Sequence, residues 1–201
     1  MSATRPRLTA EARRAAVLET ACRVFCKSSY RGATTAEIAR ESGVSEPILY
    51  RHFPSKRDLY LACLEDAWQR VRATWEKTLA DEPDPSWWLG RIGKAYLQSR
   101  DERSQLVALW IQALNEAGDD PKIRRYLRDQ VREVHAYIAD LFRRAQEAGG
   151  VIRDRDPEAE AWIFISLGLL GTIDRRLGGL VGEEFDRIID SRRRWTTGHG
   201  L

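Results

Sequence analysis

An all-α fold of about nine helices is predicted for this 201-residue chain by three observations. Apolar residues recur at i, i+3, i+4 and i+7, as at Leu18, Ala21, Cys22 and Phe25. No segment alternates apolar and polar residues as a half-buried strand would. Capping residues, first-turn prolines and terminal glycines fall at helix-length intervals from end to end.

The first helix starts near Thr9 and ends before Tyr30-Arg31-Gly32. Thr34-Thr35-Ala36-Glu37 matches the capping-box pattern and opens a short second helix that Gly43 stops. A third begins at the N-cap residue Ser45, with Pro47 in its first turn, where a missing N–H costs little. Pro54 ends it, and Ser55 to Asp58 cap a fourth helix running to about Ala80. Asp81 to Pro85 is the clearest break. Helices are then expected at about 86–100, 102–117, 121–147, 157–177 and 183–195. Asp120-Pro121 and Asp156-Pro157 each set a capping residue before a first-turn proline, and Gly149-Gly150 and Gly178-Gly179 fall past helix ends.

A composition 43% hydrophobic and 31% charged supports a buried core and excludes a disordered chain. The longest apolar run, Ala161 to Ile173, is too short for a bilayer and is broken by Ser166, Gly168 and Gly171. The first fourteen residues carry no apolar segment of a secretory leader, so a cytoplasmic protein with no membrane partner is expected. Of three cysteines, Cys22 and Cys26 lie one turn apart and could form half a metal site or a thiol switch. The plainer reading places them in a core beside Leu18 and Phe25, with no metal and no cofactor. Residues 1–60 hold 11 Lys and Arg against 6 Asp and Glu, a net +5, whereas the remainder holds 22 against 24, a net −2. The basic excess thus belongs to the N-terminal third, as a polyanion-binding segment requires.

Thr34 to Phe53 has the spacing of a helix-turn-helix. Ala39 is small where the second helix must cross closely, and Gly43 supplies a left-handed turn four residues later. Ile38, Val44 and Leu49 fill a three-helix core, and Phe53 and Leu59 join them. A helix lying in the major groove reads base edges with its N-terminal residues, here Ser45, Glu46, Pro47 and Ile48, with Arg51 one turn on. Thr34 and Thr35 stand at a helix start whose hydroxyls and free N–H groups suit a phosphate. Glu46 is awkward near phosphates. It either accepts from a cytosine amino group or favours the positive end of its own helix.

The segments Thr34-Thr35-Ala36-Glu37-Ile38-Ala39, Gly43-Val44-Ser45 and Leu49-Tyr50-Arg51-His52-Phe53-Pro54-Ser55-Lys56-Arg57-Asp58-Leu59 resemble the signature of TetR-family transcriptional regulators (TetR/AcrR type). The likeness covers about residues 10–70; beyond it, only length and helical content agree. It implies that Tyr50 and His52 touch the DNA backbone and that Lys56 meets a phosphate. Three parts follow: a flexible basic arm at 1–9, whose Arg5 and Arg7 could reach the minor groove; a DNA-binding domain at 10–70 with its helix-turn-helix at 34–53; and a helical ligand-binding and dimerisation domain at 71–201. The resemblance also implies a homodimeric repressor on a palindromic operator of double-stranded DNA, released by a small hydrophobic or aromatic effector and associated with the nucleoid when bound.

Aromatic residues gather in mid-chain, and seven tryptophans are many for this length. Trp68, Trp75, Trp88, Tyr96, Trp110 and Tyr126, with the polar Gln112 and His135, are the candidate effector contacts, although each Trp taken singly also suits a core. The predicted helix at 121–147 carries an apolar stripe of Ile123, Leu127, Val131, Val134, Ile138 and Leu141. The next helix is apolar nearly all round, and the last offers only Phe185, Ile188 and Ile189 to cover it. A second subunit would complete the cover, through Trp162, Ile165, Leu169, Ile173, Phe185, Ile188 and Ile189, with Gly168 and Gly171 permitting close helix approach.

The rival classes are a helical enzyme or small-molecule binder without sequence-specific DNA binding, and a non-specific architectural protein. The sequence offers no nucleophile elbow, no zinc-protease motif and no phosphate-cradling glycine loop, and its histidines are only His52, His135 and His199. An enzyme is not expected.

Overall fold

The computed structural model describes residues 9–98 and 100–198, and all regular structure among them is helical. The helices are α1 (Ala10–Gly32), α2 (Thr35–Glu41), α3 (Glu46–His52), α4 (Lys56–Ala80), α5 (Trp88–Gln98), α6 (Arg100–Glu116), α7 (Pro121–Glu147), α8 (Pro157–Arg176) and α9 (Glu184–Thr197), with one 3₁₀ turn at Pro85–Trp87. The proposed arm residues Arg5 and Arg7, and His199, lie outside the described residues.

Caps explain most of the boundaries. Thr9 Oγ1 accepts from Ala12 N at 3.1 Å and starts α1. The regular turn of α1 breaks at Ser29, whose φ of 76° and ψ of 166° lie outside helical space. Tyr30 to Gly32 form one further turn, so the expected end before Tyr30 corresponds to this kink. Thr34 Oγ1 accepts from Glu37 N at 3.1 Å, the first half of the predicted capping box. Gly43, at φ +71°, makes the turn between α2 and α3. Ser45 occupies the N-cap of α3 without a side-chain capping bond, which leaves its hydroxyl exposed and available. Ser55 and Asp58 cap α4 reciprocally, with Asp58 N donating to Ser55 Oγ at 3.1 Å and that hydroxyl to Asp58 Oδ2 at 2.6 Å. Asp120 caps α7 through Lys122 N and Ile123 N, and Asp156 caps α8 through Glu158 N, as the Asp-Pro pairs predicted.

The chain divides into two compact units that interleave along the sequence: Met1–Gln69 with Ser104–Leu127, and Arg70–Arg103 with Arg128–Leu201. In the first, Val17, Phe25, Ile38, Leu49, Leu59, Tyr60, Leu64, Leu109 and Ile123 are fully buried in one core. Cys22 and Cys63 are buried in that core and Cys26 is half-buried against it, as the plainer reading of the cysteines expected. The corner between α6 and α7 belongs to the same unit. Tyr60 donates to Leu109 O at 2.6 Å and Gln112 Nε2 to Phe25 O at 3.1 Å. Arg31 pairs with Glu116 and Asp119, and Arg57 with Asp120 at 3.0 Å.

In the second unit, Ile92, Ile138, Ala139, Leu141, Ala145 and Ala161 are buried. α5 packs on α8 beside Gly93 and Gly168: a Cβ on Gly168 would lie 3.4 Å from the Tyr96 ring, and one on Gly93 3.6 Å from Phe164, both ordinary contact distances. Gly168 thus lies against Tyr96 of the same chain, and Gly171 is buried. Ile152 N donates to Thr196 O at 2.9 Å, and the buried Glu160 pairs with Arg192, tying the end of α9 to the connection before α8 and to α8 itself. Among the described residues, no helix is long and apolar enough to cross a membrane.

Candidate nucleic-acid interface

Leu49 is fully buried on the inner side of α3, which turns Ser45, Pro47, Tyr50 and Arg51 outward. Tyr50 is 42% exposed, and Arg51 has no partner among the described residues. Thr34 is exposed at the start of α2, whereas Ile48 and His52 are half-buried on α3. A helix whose outer face carries hydroxyls, a guanidinium and an aromatic ring, with a turn behind it, has the shape and donors of a major-groove reader.

Thr35 departs from the sequence expectation. It is 9% exposed, and its hydroxyl lies 2.5 Å from Glu46 Oε1 and 3.1 Å from Tyr50 Oη. A carboxylate only accepts, so the single Thr35 proton goes to Glu46 and Tyr50 must donate to Thr35. The Thr35 hydroxyl is thereby withdrawn from the phosphate set, and Tyr50 keeps its ring and its oxygen lone pairs but no free proton. Glu46 stands in the first turn of α3, and its carboxylate also accepts from Thr35 on α2. Sequence spacing could not reveal this, because the three residues lie on two helices and meet only after the turn has formed.

Lys56, at the first position of α4, is half-buried. Its ammonium stands 5.0 Å over the Tyr30 ring and donates to Arg31 O at 3.4 Å. Burial pushes its pKa below the usual lysine value, with Glu116 acting in the opposite direction. At one long bond the ammonium retains donors for an anion.

The candidate effector residues fall into both compact units. In the first, Trp68 is buried, while Trp110 and Tyr126 are half-buried against the core. Tyr126 donates to Glu65 at 2.9 Å, and the half-buried Gln112 carries a buried Oε1 with no hydrogen-bond partner. In the second, Trp75 meets Tyr96 edge-on at 6.2 Å and stacks with Tyr137 at 5.9 Å. Tyr137, a mid-chain aromatic outside the candidate effector contacts, completes this aromatic group. Trp88 is occupied by the protein itself: its indole N–H donates to Glu82 O at 2.9 Å and Arg144 lies 4.1 Å over its ring. His135 stacks on Trp162 at 4.3 Å, and both ring nitrogens address Glu158, one at its backbone carbonyl (2.9 Å) and one at its carboxylate (3.5 Å). Among the described residues, no group of three or more His, Cys, Asp or Glu could hold a metal ion.

The helix-turn-helix and the helical body are the parts of a DNA-binding transcription regulator. Residues 17–63 match the model for bacterial regulatory proteins of the tetR family, and residues 85–168 match the C-terminal model of BetI-type transcriptional repressors. The chain belongs to the TetR family of transcriptional regulators. It is 48% identical to the HTH-type transcriptional activator FasR of Mycolicibacterium smegmatis over 59 residues, which cover 29% of this chain and 27% of FasR. It is 26% identical to the nucleoid occlusion factor SlmA of Marinobacter nauticus over 81% of this chain and 83% of that protein. A Saccharomonospora viridis chain assigned to transcriptional regulation and solved in complex with choline is 28% identical, with a TM-score of 0.70 over 90% of this chain and 95% of that one.

Proposed function

We propose that the protein is a homodimeric repressor that binds a palindromic operator through α3 and is released by a small hydrophobic or aromatic effector. The observation that carries the DNA reading is the outward face of α3, where Ser45, Pro47, Tyr50 and Arg51 stand exposed beside Thr34 within the segment that matches the family model. The contact set is Thr34, Ser45, Glu46, Pro47, Ile48, Tyr50, Arg51, His52 and Lys56, with the Thr35 side chain positioning rather than touching. Phosphate contacts fix register and base contacts choose sequence, so Lys56 and Thr34 contribute affinity and the α3 residues contribute choice. The 10–70 segment is read as the DNA-binding head. Repression is supported by the BetI-type repressor match over 85–168.

Dimerisation through α8 and α9 is supported by apolar side chains that remain uncovered on α8. Trp162, Leu169 and Ile173 are 47%, 41% and 49% exposed, and they follow one helical stripe. Ile165, Phe185, Ile188 and Ile189 are half-buried. Exposed apolar surface of this extent marks an interaction site, and two-fold pairing would set the half-sites about 34–36 Å apart. For the effector, the Trp75, Tyr96 and Tyr137 group supplies flat apolar faces suited to an aromatic or cationic organic molecule. A ligand binding one head spacing better than the other shifts the dimer between DNA-competent and incompetent states.

Footprinting on DNA flanking the protein's own gene tests the reading, with a panel of aromatic compounds and, given the choline-bound neighbour, quaternary ammonium compounds. Protection of a two-fold-symmetric site, lost on adding one compound, is expected. A monomeric protein that prefers no duplex over random competitor would overturn it.

A further inference from the structure

Glu46 sits at the start of the base-reading helix, where an anion is repelled by every neighbouring phosphate. A free surface carboxylate there would turn away into solvent. Instead, one oxygen is bonded to the Thr35 hydroxyl at 2.5 Å, Thr35 is itself 9% exposed, and Tyr50 closes the chain from the other side at 3.1 Å. The hydrogen bonds run in one direction, from Tyr50 to Thr35 to Glu46. Oε2 has no protein partner among the described residues. The result is an acceptor held at one orientation on a half-buried side chain.

From this chain of bonds we propose that Glu46 selects a cytosine in the operator half-site and that Thr35 is the positioning residue that makes the selection sharp. The proposal rests on the DNA reading above. In the major groove, cytosine presents only its N4 amino donor. Guanine presents two acceptors, thymine a carbonyl acceptor and a methyl group, and adenine an acceptor adjoining its amino donor. A rigid carboxylate oxygen is therefore matched by cytosine and meets at least one repelling acceptor on guanine, adenine or thymine. Selection arises as much from rejection of the other bases as from the bond to the right one. A carboxylate free to rotate would avoid those clashes and discriminate less, which is why the Thr35 hydroxyl matters. Tyr50 belongs to the same device, since its proton is what leaves the Thr35 proton to Glu46.

The test is selection of bound duplexes from a random library by the full-length protein, its Glu46→Gln, Thr35→Val and Thr35→Ser variants, and sequencing of the enriched sites. The wild-type protein should enrich a two-fold-symmetric motif with one cytosine column per half-site. Glu46→Gln should move that column toward adenine, because an amide both donates to N7 and accepts from N6. Thr35→Val should flatten the same column, by about tenfold in base preference, while other columns persist, and Thr35→Ser should restore it. Thermal melting shows whether Thr35→Val is folded; if it is not, the near-isosteric Glu46→Gln variant decides alone. A specific motif that Glu46→Gln leaves unchanged, or weakens evenly at every column, overturns this proposal but not the DNA reading. Absence of any enriched motif with the wild-type protein overturns both.

Discussion

Ser29 holds a backbone conformation that glycine adopts freely and serine does not. Its φ of 76° with ψ of 166° lies in the region populated almost only by glycine, at a cost of about 1–3 kcal/mol. The conformation persists because its neighbours require it. Ser29 O accepts from Ala33 N at 3.1 Å and Ser29 Oγ accepts from Gly32 N at 3.2 Å, so the residue caps the turn that follows. That turn delivers Tyr30 to Tyr60, 4.8 Å between ring centres, and Arg31 to Glu116 and Asp119. Ser29→Gly removes the strain but frees the unfolded chain, at about 0.5–1 kcal/mol, and gives up the hydroxyl cap, at a few tenths (~0.3 kcal/mol). The balance is a gain of about 1 kcal/mol, or roughly 2–4 °C in melting temperature for a chain of this size. Ser29→Ala keeps the strain and loses the bond, so it should cost about 0.5–2 kcal/mol. Thermal melts followed by circular dichroism, at one protein concentration because dimerisation shifts the midpoint, should rank Gly above Ser above Ala. An alanine variant as stable as the glycine variant would refute the argument, since it would mean that no left-handed strain is stored there.

Asp120 supplies a pH-dependent contact within the same unit. Burial alone would raise its carboxyl, but Arg57 and the N–H groups of Ile123 and Lys122 outweigh it and hold the pKa below the usual value. A depressed carboxyl contributes stability above its unfolded pKa, about 3.9, and loses it as pH falls through the folded one. Asp120→Asn, which keeps a capping side chain, should melt below the wild type at pH 7, with the gap starting to close below about pH 4 and vanishing below the depressed folded pKa; a gap independent of pH argues against the ion pair. Leu169→Glu combined with Ile173→Glu should give a monomer by sedimentation with helicity intact, and a persisting dimer would remove α8 from the interface. The thiols should resist alkylation at pH 8 in the native protein and react upon denaturation, because Cys22 and Cys63 are buried and burial, aided by Cys22, raises Cys26 to about 11. Rapid labelling without unfolding would contradict the packing of α1 if at Cys22 or Cys26, and that of α4 if at Cys63.

The helices were legible because their signals are local. Thr9, Thr34, Ser55, Asp120 and Asp156 cap where the sequence placed caps, and the helix-turn-helix core of Ile38, Ala39 and Leu49 follows from spacing alone. The effector residues were poorly legible for the opposite reason. Trp88 and His135 were grouped with Trp75 and Tyr96 by residue type, whereas their hydrogen bonds to Glu82 and Glu158 come from partners that only the folded chain supplies.

The helix-turn-helix shows how far donor and acceptor bookkeeping goes beyond residue type. Thr35 and Tyr50 look from the sequence like hydroxyls for phosphates, and Glu46 looks misplaced. Once the direction of the Tyr50–Thr35–Glu46 chain is assigned, the two hydroxyl protons are seen to be committed inward, and the carboxylate becomes the outlet of the chain rather than an anomaly. The donors that remain on this face include the Arg51 guanidinium, the Ser45 and Thr34 hydroxyls, the latter only accepting in its cap, and the partly engaged Lys56 ammonium. Those are the groups able to meet phosphates or purine acceptors, whereas the anchored carboxylate can meet only a base amino group. Affinity and choice are thereby assigned to different side chains, and substitution of one class should leave the other's signature readable.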